Sequence, residues 1–331
     1  MRASVNERYG SPDALTIRDI PTPQPADDEI QVRVHATTVG RTDTCALRAH
    51  PFFVRPATGL LKPKRTVLGL DFAGTVESIG AGATRFARGD RVFGLTPGGY
   101  GAHAEYVCVP EDGAIARMPE GRRFDEVVLC EGAWYANMYL KEFGLGPGHN
   151  ILIYGASGAI GTAAVQLAKF YGAAVTAVVA TPHLDLAAHL GADEVIDYTA
   201  ADFTQIGASF DFVLDAVGKT SYFACRPLLK PTGVFAATDL GRWWQNVVLA
   251  LWSSITGSGR VVFPTPRADR ALVEFLRDRI EANELGAVVD RTYPLEDIAD
   301  AYRYVETQQK IGIVVIDVAP GPSRSYAIQR S

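Results

Sequence analysis

The chain has 331 residues, which at ~100–200 residues per domain suits two domains whose cores need no disulfide or metal staple. Hydrophobic residues make up 47% and charged residues 21%, and no uninterrupted apolar run reaches the ~18–20 residues of a membrane-spanning helix, so disordered, collagen-like and helical transmembrane readings drop out. The formal charge of −5 arises from 37 acidic and 32 basic residues; with no basic block, nucleic acid is not an expected partner and small molecules are.

Residues 1–118 alternate short β-branched runs, at 30–34, 75–79 and 91–93, with Gly, Pro and Asp punctuation at 21–25, 80–82, 89–90 and 97–99. That is the pattern of a turn-rich, all-β domain. From about residue 124 apolar strands are followed by helical segments: 151–154 then 162–170, 174–179 then 184–190, 212–215 then 221–229, and a strand at 234–238. Strands alternating with helices predict a parallel sheet of βαβ units. The segment 242–255 stands apart, because three of the four tryptophans, Trp243, Trp244 and Trp252, fall within ten positions. It is too short to span a bilayer and reads as a core or subunit-interface helix, a lid over an apolar substrate and a membrane-surface contact being the alternatives. Helices at 267–282 and 295–307 and a strand at 313–318 are expected to complete the first domain; the tail 319–331, with little periodicity, is expected to fray. Cys45, Cys108, Cys130 and Cys225 are too widely spaced for a disulfide scaffold, and the polar N-terminus lacks the apolar core of a signal peptide. A cytoplasmic location is expected.

The strongest local signal is Ile151-Leu152-Ile153-Tyr154-Gly155-Ala156-Ser157-Gly158-Ala159-Ile160-Gly161, with a helical segment after it. Read as A-x-G-x-x-G from Ala156, it predicts a dinucleotide-binding turn. Gly158 lets the backbone approach a pyrophosphate, Gly161 lets helix and strand pack closely, and the helix N-terminus faces the anion. Where NAD-preferring sites carry an acidic residue ~20 positions on, this chain has Val178-Val179-Ala180-Thr181. A 2′-phosphate is then not repelled there, so NADPH is the expected cofactor, with NADH possible. No Lys or Arg stands between Lys169 and Lys219, which leaves Thr181, His183 and Tyr198 as polar groups for the phosphate.

This turn joins Val67-Leu68-Gly69-Leu70-Asp71-Phe72-Ala73-Gly74-Thr75-Val76, the segments 86–94 and 98–106, Leu190-Gly191-Ala192-Asp193-Glu194-Val195-Ile196-Asp197-Tyr198, and Phe212-Val213-Leu214-Asp215-Ala216-Val217-Gly218. In that order they resemble the medium-chain dehydrogenase/reductase superfamily, and within it the zinc-independent quinone oxidoreductase (enone reductase) branch, over residues 1 to about 318. The resemblance implies an α/β protein. A GroES-like β-rich catalytic domain at 1–123 and 265–318 would accompany a Rossmann domain, a doubly wound parallel sheet, at 124–264, with the active site in the cleft between them. Zinc alcohol dehydrogenases of the superfamily hold their metal through a Cys, a His-Glu pair after a glycine, and a further Cys. The matching places here carry Gly40, Leu70-Asp71 and Cys130, too few ligands for a tetrahedral site with an open position. The stretch 96–103 has no cysteines for a structural zinc, so no zinc is expected.

Val39-Gly40-Arg41-Thr42-Asp43-Thr44-Cys45 matches the family's Val-Asn-Pro-x-Asp loop but departs at Gly40-Arg41, and it also looks like the Arg-Thr/Ser-Asp run of the zinc enzymes. By resemblance Thr42 would donate or relay a proton to a developing oxyanion and Arg41 would reach the cofactor diphosphate; Asp43 reads as structural, its carboxylate capping the following turn or helix. The nicotinamide would lie near Ala216, Val217, Gly218, Asp239, Leu240 and Gly241, with Lys310 close by, and Cys45, Phe52, Phe53 and Phe263 would line the substrate pocket. The implied function is zinc-independent, NADPH-preferring hydride transfer to a quinone or α,β-unsaturated carbonyl, by a homodimer acting on a small apolar substrate. A zinc-free alcohol dehydrogenase-like enzyme acting on an alcohol or aldehyde, and a non-catalytic NADPH-binding redox sensor, are the other readings.

Overall fold

The computed structural model describes residues 1–50, 55–241, 244–257, 260–264 and 267–318. The chain divides into two compact units. The first is Met1–Cys130, Asp269–Arg277 and the chain from Val289 onward; the second is Glu131–Ala268 with Asp278–Val288.

The first unit carries β1 (Arg2–Asn6), β2 (Leu15–Asp19), β3 (Glu29–Val39), α1 (Arg41–Arg48), α2 (Arg55–Thr58), β4 (Asp71–Ile79), β5 (Arg91–Leu95), β6 (Tyr106–Pro110), β7 (Ile115–Arg117) and α3 (Phe124–Val127). The helix α4 (Cys130–Glu142) opens the second unit. There β8 (Asn150–Tyr154), α5 (Ala159–Phe170), β9 (Ala174–Val179), α6 (Leu184–His189), β10 (Glu194–Asp197), β11 (Phe210–Asp215), α7 (Tyr222–Cys225), β12 (Leu229–Ala237), α8 (Gln245–Ile255) and β13 (Val261–Val262) follow. Last come α9 (Arg270–Glu281), β14 (Val289–Pro294), α10 (Ile298–Glu306) and β15 (Ile313–Asp317).

In the first unit β1 and β2 pair with each other, and a seven-stranded sheet runs β14-β15-β3-β4-β5-β7, with β6 on β3. The long β3 joins the early and late parts of the chain, its C-terminal half pairing with β15 and its N-terminal half with β6. Val32, Val34, Phe72, Val92 and Ile115 form one core with Ile298, Tyr302 and Val314 from the end of the chain. Residues 295–318 therefore pack on the first unit because their apolar face has no other core to enter.

The second unit is a six-stranded parallel sheet in the order β10-β9-β8-β11-β12-β13. Its central strands are buried along nearly their whole length, as Ile151, Leu152 and Ile153 show, and this is why they read as unbroken apolar runs. The predicted helix at 221–229 is cut short. After α7 the chain tightens into a 3-10 turn at Arg226–Leu228, because Pro227 has no N–H for an α-helical ladder, and β12 starts at Leu229. Phe124 lies with the first unit, its ring stacked 4.2 Å from that of His35 and facing the Arg91 guanidinium. The loop after α9 lies with the second, where Gly286 exchanges hydrogen bonds of 2.8 and 3.1 Å with the Gln166 amide.

Candidate active site

All six strands of the second unit run the same way, so their C-terminal ends open on one edge, and the strand order reverses between β8 and β11. Ligands bind at such a switch point in open α/β sheets. The turn after β8 lies there. Gly155 takes φ +77°, and a Cβ on it would meet Val217 Cγ1 at 2.5 Å. Its N–H and that of Ala156 donate to the Val178 carbonyl, at 3.0 and 3.3 Å. A Cβ on Gly161 would meet the Gly155 carbonyl oxygen at 2.2 Å, so the close packing of α5 on the turn demands glycine.

Gly158 is different. Its φ is −80°, which any residue adopts, and an added Cβ would meet nothing nearer than 3.7 Å. Nothing in the protein requires the missing side chain, and the space it leaves lies at the N-terminus of α5, where no side chain caps the first turn. Unpaired N–H groups and the positive end of the helix dipole suit an anion. These features are what the diphosphate of a dinucleotide requires, and Ala156, Ser157, Gly158, Ala159, Ile160 and Gly161 are the residues that would hold it.

The ends of the neighbouring strands hold the other predicted residues. Thr181 follows β9 and Tyr198 follows β10; the Tyr198 ring meets that of Tyr154 edge-on at 5.9 Å, while His183 is half-buried. The premise that no carboxylate faces this region is corrected by the fold. Parallel pairing sets Asp197 beside Val179, and the Thr181 hydroxyl donates to Asp197 Oδ2 at 2.6 Å. Donation from Thr181 and Thr199 holds the Asp197 carboxyl below the usual carboxylate range.

After β11 the buried Asp215 gathers the loop onto itself, accepting from the N–H groups of Val217, Gly218 and Thr220 at 3.1, 2.8 and 2.8 Å. Burial nonetheless pushes its pKa up. Gly218, at φ +70°, must be glycine, because a Cβ there would strike Asp239 Cβ at 2.2 Å. Asp239 accepts from the Gly241 N–H at 2.8 Å, and Asn246 donates to the Asp239 carbonyl at 2.8 Å. Ala216, Val217, Gly218, Asp239, Leu240 and Gly241 thus form two interlocked loops beside the phosphate turn. Phe263 lies just past β13 on the same edge.

In the first unit Gly40 caps α1, and Arg41 and Thr42 are exposed on its first turn, with Cys45 half-buried one turn on. Asp43 is buried, accepting from the Gly40 N–H at 2.8 Å and the Gly69 N–H at 3.2 Å. Burial pushes its pKa up to about 7. Gly69 has φ +103°, and a Cβ there would lie 2.5 Å from His103 Cδ2. The buried His103 approaches the Thr38 carbonyl with Nε2 at 2.9 Å; a carbonyl only accepts, so Nε2 carries the proton and Nδ1 accepts from the Tyr302 hydroxyl at 3.3 Å. Burial lowers the His103 pKa to about 4. Asp71 and Cys130, at two of the places where zinc enzymes carry ligands, are fully buried, and the Thr38 hydroxyl lies 3.4 Å from Asp71 Oδ2. Among the described residues no three His, Cys, Asp or Glu side chains gather as metal ligands would.

Lys310 also belongs to the first unit, its Nζ donating to the Gly312 carbonyl at 2.5 Å. Phe52 and Phe53 lie outside the described residues. The residues that the sequence reading missed are Asp197, Thr199, Asp215, His103 and Tyr302. Asp197 was reachable, since parallel pairing of the second and third strands brings their ends together. His103 and Tyr302 lie 199 positions apart and carry no local signal.

Two family models match: the alcohol dehydrogenase GroES-like domain over residues 26–120 and the zinc-binding dehydrogenase over 190–316. The NADPH-dependent alkenal/one oxidoreductase, chloroplastic, of Arabidopsis thaliana is 30% identical over 97% of this chain and 80% of its own length. The quinone-oxidoreductase homolog, chloroplastic, of Spinacia oleracea is 29% identical over 93% and 95%. Among solved structures, the quinone oxidoreductase from Coxiella burnetii superposes with a TM-score of 0.83 at 25% identity, covering 96% of this chain and 99% of that one. The chain belongs to the quinone oxidoreductase-like branch of the medium-chain dehydrogenase/reductase family.

Proposed function

We propose that the chain reduces a quinone or an α,β-unsaturated carbonyl by direct hydride transfer, without a metal, using NADPH or NADH. The reading rests on the cradle at Gly158, where the protein itself gives no reason for a missing side chain. A bound reduced nicotinamide supplies the hydride, and the protein supplies position and electrostatics. The second unit binds the diphosphate on the turn before α5 and offers the backbone of residues 216–218 and 239–241 to the carboxamide. From the first unit the exposed Thr42 hydroxyl donates to the oxygen on which charge develops, solvent protonates the resulting enolate carbon, and Arg41 supports the diphosphate. An electrophilic carbon conjugated to that oxygen needs hydrogen-bond donors, whereas a simple alcohol relies on the Lewis acid that Gly40, Leu70, Asp71 and Cys130 do not provide.

The test is oxidation of NADPH and NADH with a panel of quinones and enones, with and without chelator. Chelator-resistant turnover is expected, with kcat for the best enone falling about a hundredfold in Thr42→Ala, at the low end for loss of one oxyanion donor. Cofactor binding with no turnover on any acceptor would sink the reading in favour of a sensor.

We propose that the chain assembles as a homodimer through α8. In α8 the polarity is inverted: Asn246 and Ser253 are buried, while Val248, Leu251, Trp252 and Ile255 are 58–79% exposed on one face. The Val261 N–H at the sheet edge is taken by Ser253 Oγ at 3.1 Å. The face carries no charge, so a second copy meets it without repulsion, and apolar patches of this kind mark interfaces. Homodimerisation through α8 is expected, and Trp252→Glu should yield a monomer by light scattering; an unchanged mass would exclude this surface. None of the four cysteines is in a disulfide, which suits a reducing compartment such as the cytoplasm, and no helix among the described residues is long and apolar enough to cross a membrane.

A further inference from the structure

The end of β9 carries no acidic residue, yet the fold brings one from the neighbouring strand. Asp197 closes β10 in register with Val179, and two threonines converge on it. Thr181 Oγ1 donates to Oδ2 at 2.6 Å, and Thr199 donates to Oδ1 through its hydroxyl at 2.6 Å and its N–H at 2.8 Å. The two threonine hydroxyls also lie 2.8 Å from each other. Each hydroxyl has one proton, so two protons serve three short oxygen–oxygen contacts, and neither hydroxyl has one to spare. Thr181, which the sequence nominated for a 2′-phosphate, presents lone pairs outward beside a carboxylate.

A 2′-phosphate only accepts hydrogen bonds and carries negative charge, so it needs cations or free donors. The chain between Lys169 and Lys219 has neither Lys nor Arg, and Lys169 Nζ is held by Asp193 at 2.7 and 2.8 Å, which leaves the half-buried His183 and the Tyr198 hydroxyl as the donors there, set against the Asp197 charge. A ribose 2′-hydroxyl, by contrast, can donate to Asp197 or to the threonine oxygens. We infer that Asp197 sets the choice between the two nicotinamide dinucleotides in this chain, disfavouring the 2′-phosphate and favouring NADH. The inference rests on the nicotinamide reading above. It differs from the acidic residue of NAD-preferring sites in its source, since the carboxylate comes from the third strand and is oriented by threonines of both strands.

The test is calorimetric titration of the intact chain with ADP and with 2′,5′-ADP, which reads the ribose subsite without hydride transfer, together with NADH and NADPH binding by fluorescence. The wild type is expected to bind ADP more tightly than 2′,5′-ADP. Asp197→Asn, which removes the charge and replaces one acceptor oxygen by an N–H donor, should tighten 2′,5′-ADP about tenfold and move ADP by less than about threefold, the scale of one like-charge contact near a surface. Asp197→Ser, which keeps a small polar group, should shift the ratio the same way. Equal changes for both probes, or a wild type that prefers 2′,5′-ADP with no change in either variant, overturn the inference while leaving the nicotinamide reading intact. Failure of all four ligands to bind the wild type overturns that reading, and the inference with it.

Discussion

The phosphate turn of the second unit and the polar knot of the first are built by opposite means. Between Gly155 and Gly161 the work is done by backbone and by missing side chains, over seven consecutive residues. Around Gly69 it is done by buried polar side chains from distant elements: Asp43 on α1, His103 in the loop before β6, and Tyr302 on α10. The first region contains nothing that titrates, whereas burial shifts both Asp43 and His103. The turn should therefore answer to an added methyl group and ignore pH, whereas the knot should answer to pH.

The largest effect is expected at Gly161. A Cβ there lies 2.2 Å from a backbone oxygen that cannot move without reshaping the turn, so Gly161→Ala should destabilise by about 3 kcal/mol, the upper end for overpacking. A urea midpoint equal to that of the wild type would break the steric half of the comparison.

The knot comes next. Tyr302→Phe keeps the ring and leaves buried Nδ1 of His103 without its donor, at a cost of about 1–3 kcal/mol. Its pH dependence is sharper still. His103 titrates near 4 in the folded chain against an ordinary 6.5, so below pH 6.5 the unfolded chain binds the extra proton and stability falls as pH drops towards 4. Asp43 has the opposite sign. Its folded pKa is raised from 3.8 to about 7, so its contribution is fully present below 3.8 and is lost as pH rises through 7. The two slopes oppose each other between about pH 4 and 6.5. Measured against the wild type, His103→Gln should gain stability on acidification across that window, and Asp43→Asn should gain as pH rises from 4 to 7. Parallel melting curves at every pH for either variant would show that burial does not set the charge of the knot.

The same contrast explains what could be read from sequence. The turn was legible because its residues are consecutive and its glycines have local reasons, and four of the six parallel strands, those at 151–154, 174–179, 212–215 and 234–238, were legible because burial makes each an apolar run, whereas the half-exposed edge strand β10 and the two-residue β13 were not. Asp43 was legible as a cap because the Gly40 N–H it accepts lies three positions away. Its second donor, Gly69, was hidden, as was the His103–Tyr302 pair, because only the assembly of the first unit brings these distant residues together. Asp197 lies between these cases: its identity was visible, but its meeting with Thr181 depends on the register of β9 and β10. The inverted polarity of α8 was half legible, since the tryptophans stood out but nothing local showed which face would turn inward.

The smallest effect on stability should come from Gly158→Ala, and it separates packing from ligand binding most cleanly. The backbone there is ordinary, the added methyl meets nothing within 3.7 Å, and the melting point should stay within the equivalent of about 0.5 kcal/mol. The methyl would nonetheless fill the space the diphosphate needs, so affinity for NADH and NADPH should fall together by tenfold or more, about 1.4 kcal/mol. Loss of both stability and affinity would mean that Gly158 serves the turn as Gly161 does. Retention of both would remove the observation on which the nicotinamide reading rests, because a cradle that tolerates a side chain is not shaped for an anion.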